Sequence, residues 1–244
     1  MTPSSRRPEL LGAGHPAWQP GPPPPTSPSL PLRCCLLSGG ASRRMGRDKA
    51  LLAHPEGGTW LERTVLLLAG LGAPVTLLSR HPRHLELAGD LARRLGDPAA
   101  PDPQARIIAL AEPPPWEGPL LALHRLMAQH PDERLLLCPV DMPQLTPGAL
   151  HSLLAAAVSA PATAPETVPT LHLAHDGERL QPLLGLYPSS APIRHHLAWA
   201  VAQGERRLQR WLAAHPCQAV PLDPRAIRNL NRPETSQPGE SAGA

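Results

Sequence analysis

Two short stretches of this chain carry residue types suited to handling a polyphosphate. The first is CCLLSGGASRRMGRDKALL, Cys34 to Leu52: an apolar run, a Ser38-Gly39-Gly40 turn, the cations Arg43, Arg44, Arg47 and Lys49, and a second apolar segment. Glycine lets backbone N–H groups approach an anion with no Cβ in the way, and lysine adds a compact mobile charge beside it. The second is Cys138-Pro139-Val140-Asp141-Met142-Pro143, where a carboxylate follows directly on the apolar run RLLLCP. Such a carboxylate either holds a divalent cation facing the cradle or forms a turn.

Composition singles out the same stretch. Arg, Ala, Pro, Gly and Leu are abundant, Phe is absent, and Lys49, Tyr187 and the pair Asn229 and Asn231 are the only residues of their kinds. A coding bias that replaces Lys by Arg wherever the fold tolerates it explains this pattern. The one lysine that survives sits at the end of the glycine-rich loop, which points to a chemical need for an amine there.

The elements that must position these residues can be read from hydrophobic patterning. Strand-length apolar runs lie at Leu32–Ser38, Pro74–Ser79, Arg106–Leu110 and Arg134–Pro139, separated by helical patterns at Trp60–Leu71, Arg83–Leu95 and Gly118–Gln129. Pro119 falls at the first helical turn, where its missing N–H costs nothing. Further on, Thr146–Val158 is helical, Thr170–Ala174 and Leu180–Tyr187 form a hairpin or two neighbouring strands, Pro192–Gln203 and Arg206–Ala214 are helical, and Cys217–Leu222 is a last strand. Strands apolar on both faces alternating with amphipathic helices predict an α/β fold, a three-layer α/β/α sandwich with a mostly parallel sheet. The expected organisation is a Pro-rich disordered segment over 1–31, one domain over 32–234, and a disordered tail over 235–244.

Several function classes drop out. With 23 Lys+Arg against 20 Asp+Glu and a formal charge of +3, the chain lacks the basic excess of a dedicated nucleic-acid binder. No apolar run approaches the ~18 residues of a membrane span and no signal-peptide core is recognisable, so no membrane partner is expected and the expected location is cytoplasmic. Cys34, Cys35, Cys138 and Cys217 fit neither a CxxC metal site nor a secreted disulfide framework and read as reduced, mostly buried thiols. The histidines, among them His81, His84, His124, His151, His172, His175, His195, His196 and His215, show no metal-ligand spacing and read as surface or capping residues. The loop is not a Walker A motif, because Gly40 and Gly46 are too far apart and Ala50 stands where a hydroxyl would bind metal; the G-x-G-x-x-G fingerprint is absent too.

The residues SGGASRRMGRDKALL resemble instead the N-terminal signature of the MobA-like nucleotidyltransferases, L-A-G-G-x-S-x-R-M-G-x-D-K-x-L. Three further segments match in order: Glu117-Gly118-Pro119-Leu120, Cys138 to Leu145 (CPVDMPQL), and Asn229-Leu230-Asn231-Arg232-Pro233-Glu234. Both asparagines of this Asn-poor chain fall in the last motif. The resemblance spans Leu32 to Glu234 and implies a Rossmann-like nucleotidyltransferase domain. The Gly-Gly pair places it closest to the molybdenum cofactor guanylyltransferases of that family.

What the resemblance implies is transfer of GMP from GTP to the terminal phosphate of molybdenum-molybdopterin, with pyrophosphate released. Leu37, Ser38, Gly39 and Gly40 would line the nucleotide, Arg44 and Lys49 would bind the triphosphate, and Asp141 would hold Mg²⁺. Lys49, Asp141 and Arg44 would thus carry catalysis. Glu112 either reads the nucleotide or is a surface glutamate. Asn229 and Asn231 either lie near the metal or pterin phosphate or cap a turn. The chain departs from the family pattern at Ser38, usually Ala, in the inserted HPEGGT of His54 to Thr59, and after the second strand, where Ser79 or Arg80 replaces a usual Asn. Expected partners are the two substrates, with a molybdopterin-supplying protein or a recipient molybdoenzyme beside them. A CTP-dependent enzyme or another NTP transferase of the same fold, and a non-catalytic molybdopterin carrier, are the alternatives.

Overall fold

The computed structural model describes residues 30–40, 48–95, 107–158 and 169–230. The Pro-rich head up to residue 29, the tail from 235, Arg44 and Asn231 lie outside the described residues. Among the described residues seven strands form one sheet: β1 (Leu32–Leu37), β2 (Val75–Ser79), β3 (Ile107–Ala111), β4 (Arg134–Pro139), β5 (Leu171–His175), β6 (Leu180–Pro188) and β7 (Cys217–Pro221). Their spatial order is β3-β2-β1-β4-β6-β5-β7. All pairings are parallel except those of β6, which runs antiparallel to both β4 and β5. Among the described residues six α-helices cover the sheet: α1 (Trp60–Ala69), α2 (Pro82–Leu95), α3 (Pro119–Gln129), α4 (Pro147–Val158), α5 (Ala191–Ala202) and the short α6 (Leu208–Leu212).

The period-two geometry of a strand divides the core into two layers. Cys34 and Leu36 of β1, Leu136 and Cys138 of β4, and Val75 and Leu77 of β2 face Leu61, Val65 and Leu68 of α1 and Leu150 and Leu153 of α4. Cys35, Leu135, Leu137 and Leu78 point the other way, against Leu120, Leu123 and Leu126 of α3, Ile193 and Leu197 of α5, and Trp211 of α6. The adjacent Cys34 and Cys35 therefore belong to opposite layers. All four cysteines are free thiols, and burial pushes the Cys34 thiol up to about 12.

Local chemistry agrees with these boundaries. Thr59 and Glu62 close a reciprocal capping box at the start of α1. The inserted loop before it turns on itself, the His54 N–H donating to the Gly58 carbonyl at 2.8 Å. The segments flanking His175-Asp176-Gly177-Glu178 form an antiparallel hairpin, and the Asp176 carboxylate accepts the N–H groups of Glu178 and Arg179, both at 2.9 Å. Among the described residues no helix is long and apolar enough to cross a membrane.

Candidate functional site

Strands β1 to β4 are mutually parallel, so their carboxyl ends share one edge of the sheet. The chain steps outward from β1 to β2 to β3, then returns across β1 to lay down β4, leaving a topological switch point between the ends of β1 and β4. Open α/β sheets bind ligands at that place. Here Leu37 is in register with Leu78 on one side and Pro139 on the other. Beyond that row the Val140 N–H donates to the Leu37 carbonyl at 3.3 Å, and the Glu112 N–H to the Ser79 carbonyl at 2.8 Å. Four strand ends are thereby knitted into one rim.

A cavity of about 600 Å³ opens on this rim. Its wall brings together Leu37, Ser38, Gly39, Gly40, Lys49, Glu112 and Asp141, seven residues singled out from the sequence, along with Asp48, Arg80, Trp116, Gly118 and Pro119. A second hollow of about 1050 Å³ lies beyond Met142, walled by Leu52, Trp60, Leu66, Leu145 and Leu230, and contains none of the seven. Size alone does not mark the site; convergent charge does.

Lys49 opens a single 3₁₀ turn, Lys49–Leu51, capped by Asp48. Its ammonium stands 4.0 Å from an Asp141 carboxylate oxygen, across the switch point. That is longer than a charge-assisted hydrogen bond, so the two charges attract while leaving space between them. Burial raises the Asp141 carboxyl above its ordinary range, and Lys49 pulls it partly back. The Leu230 N–H donates to the Asp141 backbone carbonyl at 3.0 Å, docking the C-terminal motif behind the carboxylate. His54 of the inserted loop hydrogen-bonds the Pro143 carbonyl at 3.0 Å, tying the segment after the lysine to the segment after the aspartate.

Glu112 is not a surface residue. Its side chain is 8% exposed and takes a hydrogen bond at 2.8 Å from Arg125 of α3. Its other oxygen lies 2.7 Å from where a Cβ on Gly39 would stand, so the first turn glycine leaves room for this carboxylate. The Trp116 indole N–H donates to the Glu112 carbonyl at 2.9 Å, and the Arg80 guanidinium lies 5.2 Å from the Trp116 ring. Gly118, at φ 99°, turns the chain into α3 in a conformation that side-chain-bearing residues rarely adopt.

Asn229 is exposed and outside the cavity wall; its side-chain amide donates to the Gln181 carbonyl oxygen at 3.3 Å. Of the two candidates for the missing Asn, Arg80 lines the cavity, whereas Ser79 is fully buried. Three histidines depart from the surface role read from sequence: His84 is 1% exposed, His130 5% and His172 7%. Arg125 and His84 are not picked out from the sequence as site residues, since each reaches the site through a contact 13 or more residues away; Asp48 stands inside the matched loop signature but is given no role there.

Among the described residues no three His, Cys, Asp or Glu side chains gather as a metal site. The donor set that is present, one carboxylate beside a cavity with a facing ammonium, suits Mg²⁺, which is bound by one or two carboxylates with waters and substrate phosphates supplying the rest.

Comparison with known proteins bears on the family and the fold. Residues 34–220 match the family model of the MobA-like NTP transferase domain. The chain is 32% identical over 207 residues to a probable molybdenum cofactor guanylyltransferase of Rhodopirellula baltica, covering 83% of this chain and 89% of that protein. It is 30% identical over 223 residues to the molybdenum cofactor guanylyltransferase of Ectopseudomonas mendocina, covering 86% and 92%. Among solved structures, the molybdopterin-guanine dinucleotide biosynthesis protein A of Archaeoglobus fulgidus superposes with a TM-score of 0.57 at 18% identity, over 82% of this chain and 93% of that one. A 4-diphosphocytidyl-2C-methyl-D-erythritol synthase of Anaerococcus prevotii superposes with a TM-score of 0.61 at 10% identity, over 84% and 92%. The structural likenesses speak to the fold.

Proposed function

The chain belongs to the MobA-like NTP transferase family, and on that premise we propose that it transfers GMP from GTP to the terminal phosphate of molybdenum-molybdopterin in the cytoplasm, releasing pyrophosphate. The observation that carries this reading is the facing of Lys49 and Asp141 across the switch point, beside a glycine turn that lines the same cavity.

The acceptor is an ionised phosphate monoester, so the reaction needs no activated side-chain nucleophile. One of its oxygens attacks the α-phosphorus, the bond to the bridging β-oxygen breaks, and that electron pair leaves with pyrophosphate. What the protein must supply is placement of two polyanions and relief of their charge. The Leu37 to Gly40 backbone lines the nucleotide, while Lys49 and Arg44 hold the triphosphate. Asp141 would hold Mg²⁺, which when bound neutralises charge on the phosphates. Asn229 and Asn231 would serve the acceptor side; Leu230, between them in sequence, donates its N–H to the Asp141 carbonyl.

Glu112 favours guanine over cytosine. An ionised carboxylate only accepts hydrogen bonds. Guanine offers it two adjacent donors, N1–H and the 2-amino group, whereas cytosine offers one amino group beside ring and carbonyl acceptors whose lone pairs would face it. A site with such a preplaced acceptor rejects a base that cannot satisfy it. The direct test is incubation of the full chain with Mg²⁺, molybdopterin and each NTP in turn. A guanine dinucleotide product with GTP is expected, and a dinucleotide formed from CTP alone would overturn the assignment.

A further inference from the structure

Beneath the cavity, three segments remote in sequence meet on one imidazole. His84 of α2 places Nε2 2.8 Å from an Asp48 carboxylate oxygen. Its Nδ1 lies 2.6 Å from the Ser38 hydroxyl and 2.9 Å from the Ser79 hydroxyl. Asp48 only accepts, so Nε2 carries a hydrogen and donates to it. Nδ1 sits among the two hydroxyls and the Ser38 carbonyl, which lies 3.0 Å away. The Ser79 hydroxyl donates to the Ser38 carbonyl at 3.1 Å and accepts the His81 N–H at 3.1 Å. The other Asp48 oxygen accepts the Ala50 N–H at 3.1 Å. Burial lowers the pKa of His84, with Asp48 and the Ser38 carbonyl pulling it partly back, and in either protonation state the Nε2–H link to Asp48 is kept.

The order Ser, His, Asp is that of a hydrolase triad, but the geometry points elsewhere. Ser38 is 2% exposed, so its hydroxyl is not presented to a substrate. Lys49, the next residue along from Asp48, lines the cavity with its ammonium toward Asp141. Ala50 behind it is 1% exposed and packs in the core. The lysine backbone is thus held on one side by burial of Ala50 and on the other by whatever holds Asp48.

We infer that His84 is a positioning residue: by clamping Asp48 to the ends of β1 and β2 it fixes the turn that aims Lys49 into the cavity. The inference deepens the proposed reading of the site and rests on Lys49 acting there. An error of about 1 Å in placing such a group costs on the order of 10²-fold in rate, so His84→Ala is expected to lower kcat/KM by about 10- to 100-fold, with the loss in kcat.

Three further variants separate this role from general support of the fold. Glutamine can set an amide N–H near the position of Nε2 and keep the Asp48 link, whereas asparagine reaches only the position of Nδ1 and keeps the Ser38 link. His84→Gln is expected to restore most of the rate and His84→Asn is not. Asp48→Ser retains a capping hydroxyl for Ala50 but loses the imidazole; combined with His84→Ala it should add no further loss, because the two act as one unit. A readout independent of turnover uses the fact that Lys49 is the only lysine. Reductive methylation with ¹³C-formaldehyde places one labelled side-chain amine in the protein. Its NMR signal should shift or broaden in His84→Ala and Asp48→Ser and return to the wild-type position in His84→Gln. Additive losses in the double variant, or rescue by asparagine instead of glutamine, would overturn the inference. A wild-type protein inactive with every NTP, whose label still follows this pattern, would instead overturn the functional reading and leave the clamp standing.

Discussion

Two ion pairs face the same cavity and are built in opposite ways. Glu112 and Arg125 are 2.8 Å apart, with side chains 8% and 17% exposed, and the carboxylate takes up the space that a Cβ on residue 39 would need. Lys49 and Asp141 stand 4.0 Å apart with 16% and 30% exposed. The tight pair is a finished piece of wall: its charges are already compensated, so its free acceptor can be offered to a ligand in a fixed direction. The loose pair is unfinished. It gains little from its own attraction in a half-open setting, and on the proposed reading phosphate oxygens, with a cation at Asp141, would come between the two. The wall pair suits selection and the open pair suits charge neutralisation during reaction.

Breaking the open pair should have the largest effect. Lys49→Ala or Asp141→Ala is expected to reduce kcat/KM by about 10²–10³, the usual cost of one electrostatic stabiliser, with the circular dichroism spectrum unchanged; near-wild-type turnover of either variant would remove these residues from the chemistry. Altering the wall pair should change preference more than rate. Glu112→Gln replaces one acceptor oxygen by a donor, and the GTP:CTP ratio of kcat/KM is expected to fall by about 10-fold, within the ~1–3 kcal/mol that a bidentate base contact contributes. If the ratio is unmoved while overall activity drops, the contrast between the two pairs is wrong.

A subtler change reaches Glu112 through the glycine turn. Gly39→Ala places a methyl group 2.7 Å from the Glu112 carboxylate oxygen, which Arg125 keeps from swinging freely aside. KM for GTP should rise several-fold with thermal stability nearly unaltered, which calorimetry beside initial-rate kinetics can check. The smallest effect concerns stability and tests whether the open pair is unfinished. Because burial raises the Asp141 carboxyl in the folded state, its protonated form is favoured by folding. The stability it contributes is present below the unfolded carboxylate pKa and is lost as pH rises through the raised folded value. At neutral pH in metal-free buffer, Asp141→Asn is therefore expected to raise the unfolding midpoint by about 1–3 °C, the Lys49 contact offsetting part of the gain. A lower midpoint would mean that the pair is already a net stabiliser.

The sequence by itself determined the strands and most helix positions, because the signals are local. Runs such as CCLL and LLLCP are apolar on both faces, Thr59 and Glu62 close a cap three residues apart, and Pro119 and Gly118 mark a helix start. It also determined the glycine turn, the solitary Lys49 and the carboxylate after β4, since each is a residue type conspicuous at its position. What only the tertiary structure decided is which distant residues meet. Lys49 and Asp141 face each other because β4 returns to pair with β1. Glu112 moves from either of two roles into the cavity wall because Arg125, 13 residues on, holds it there. His84, read from sequence as a surface or capping histidine, becomes the clamp between Ser38, 46 residues away, and Asp48, 36 residues away. Strand order and the face a helix turns inward are collective outcomes of packing the whole core, and no local pattern around His84 carries them.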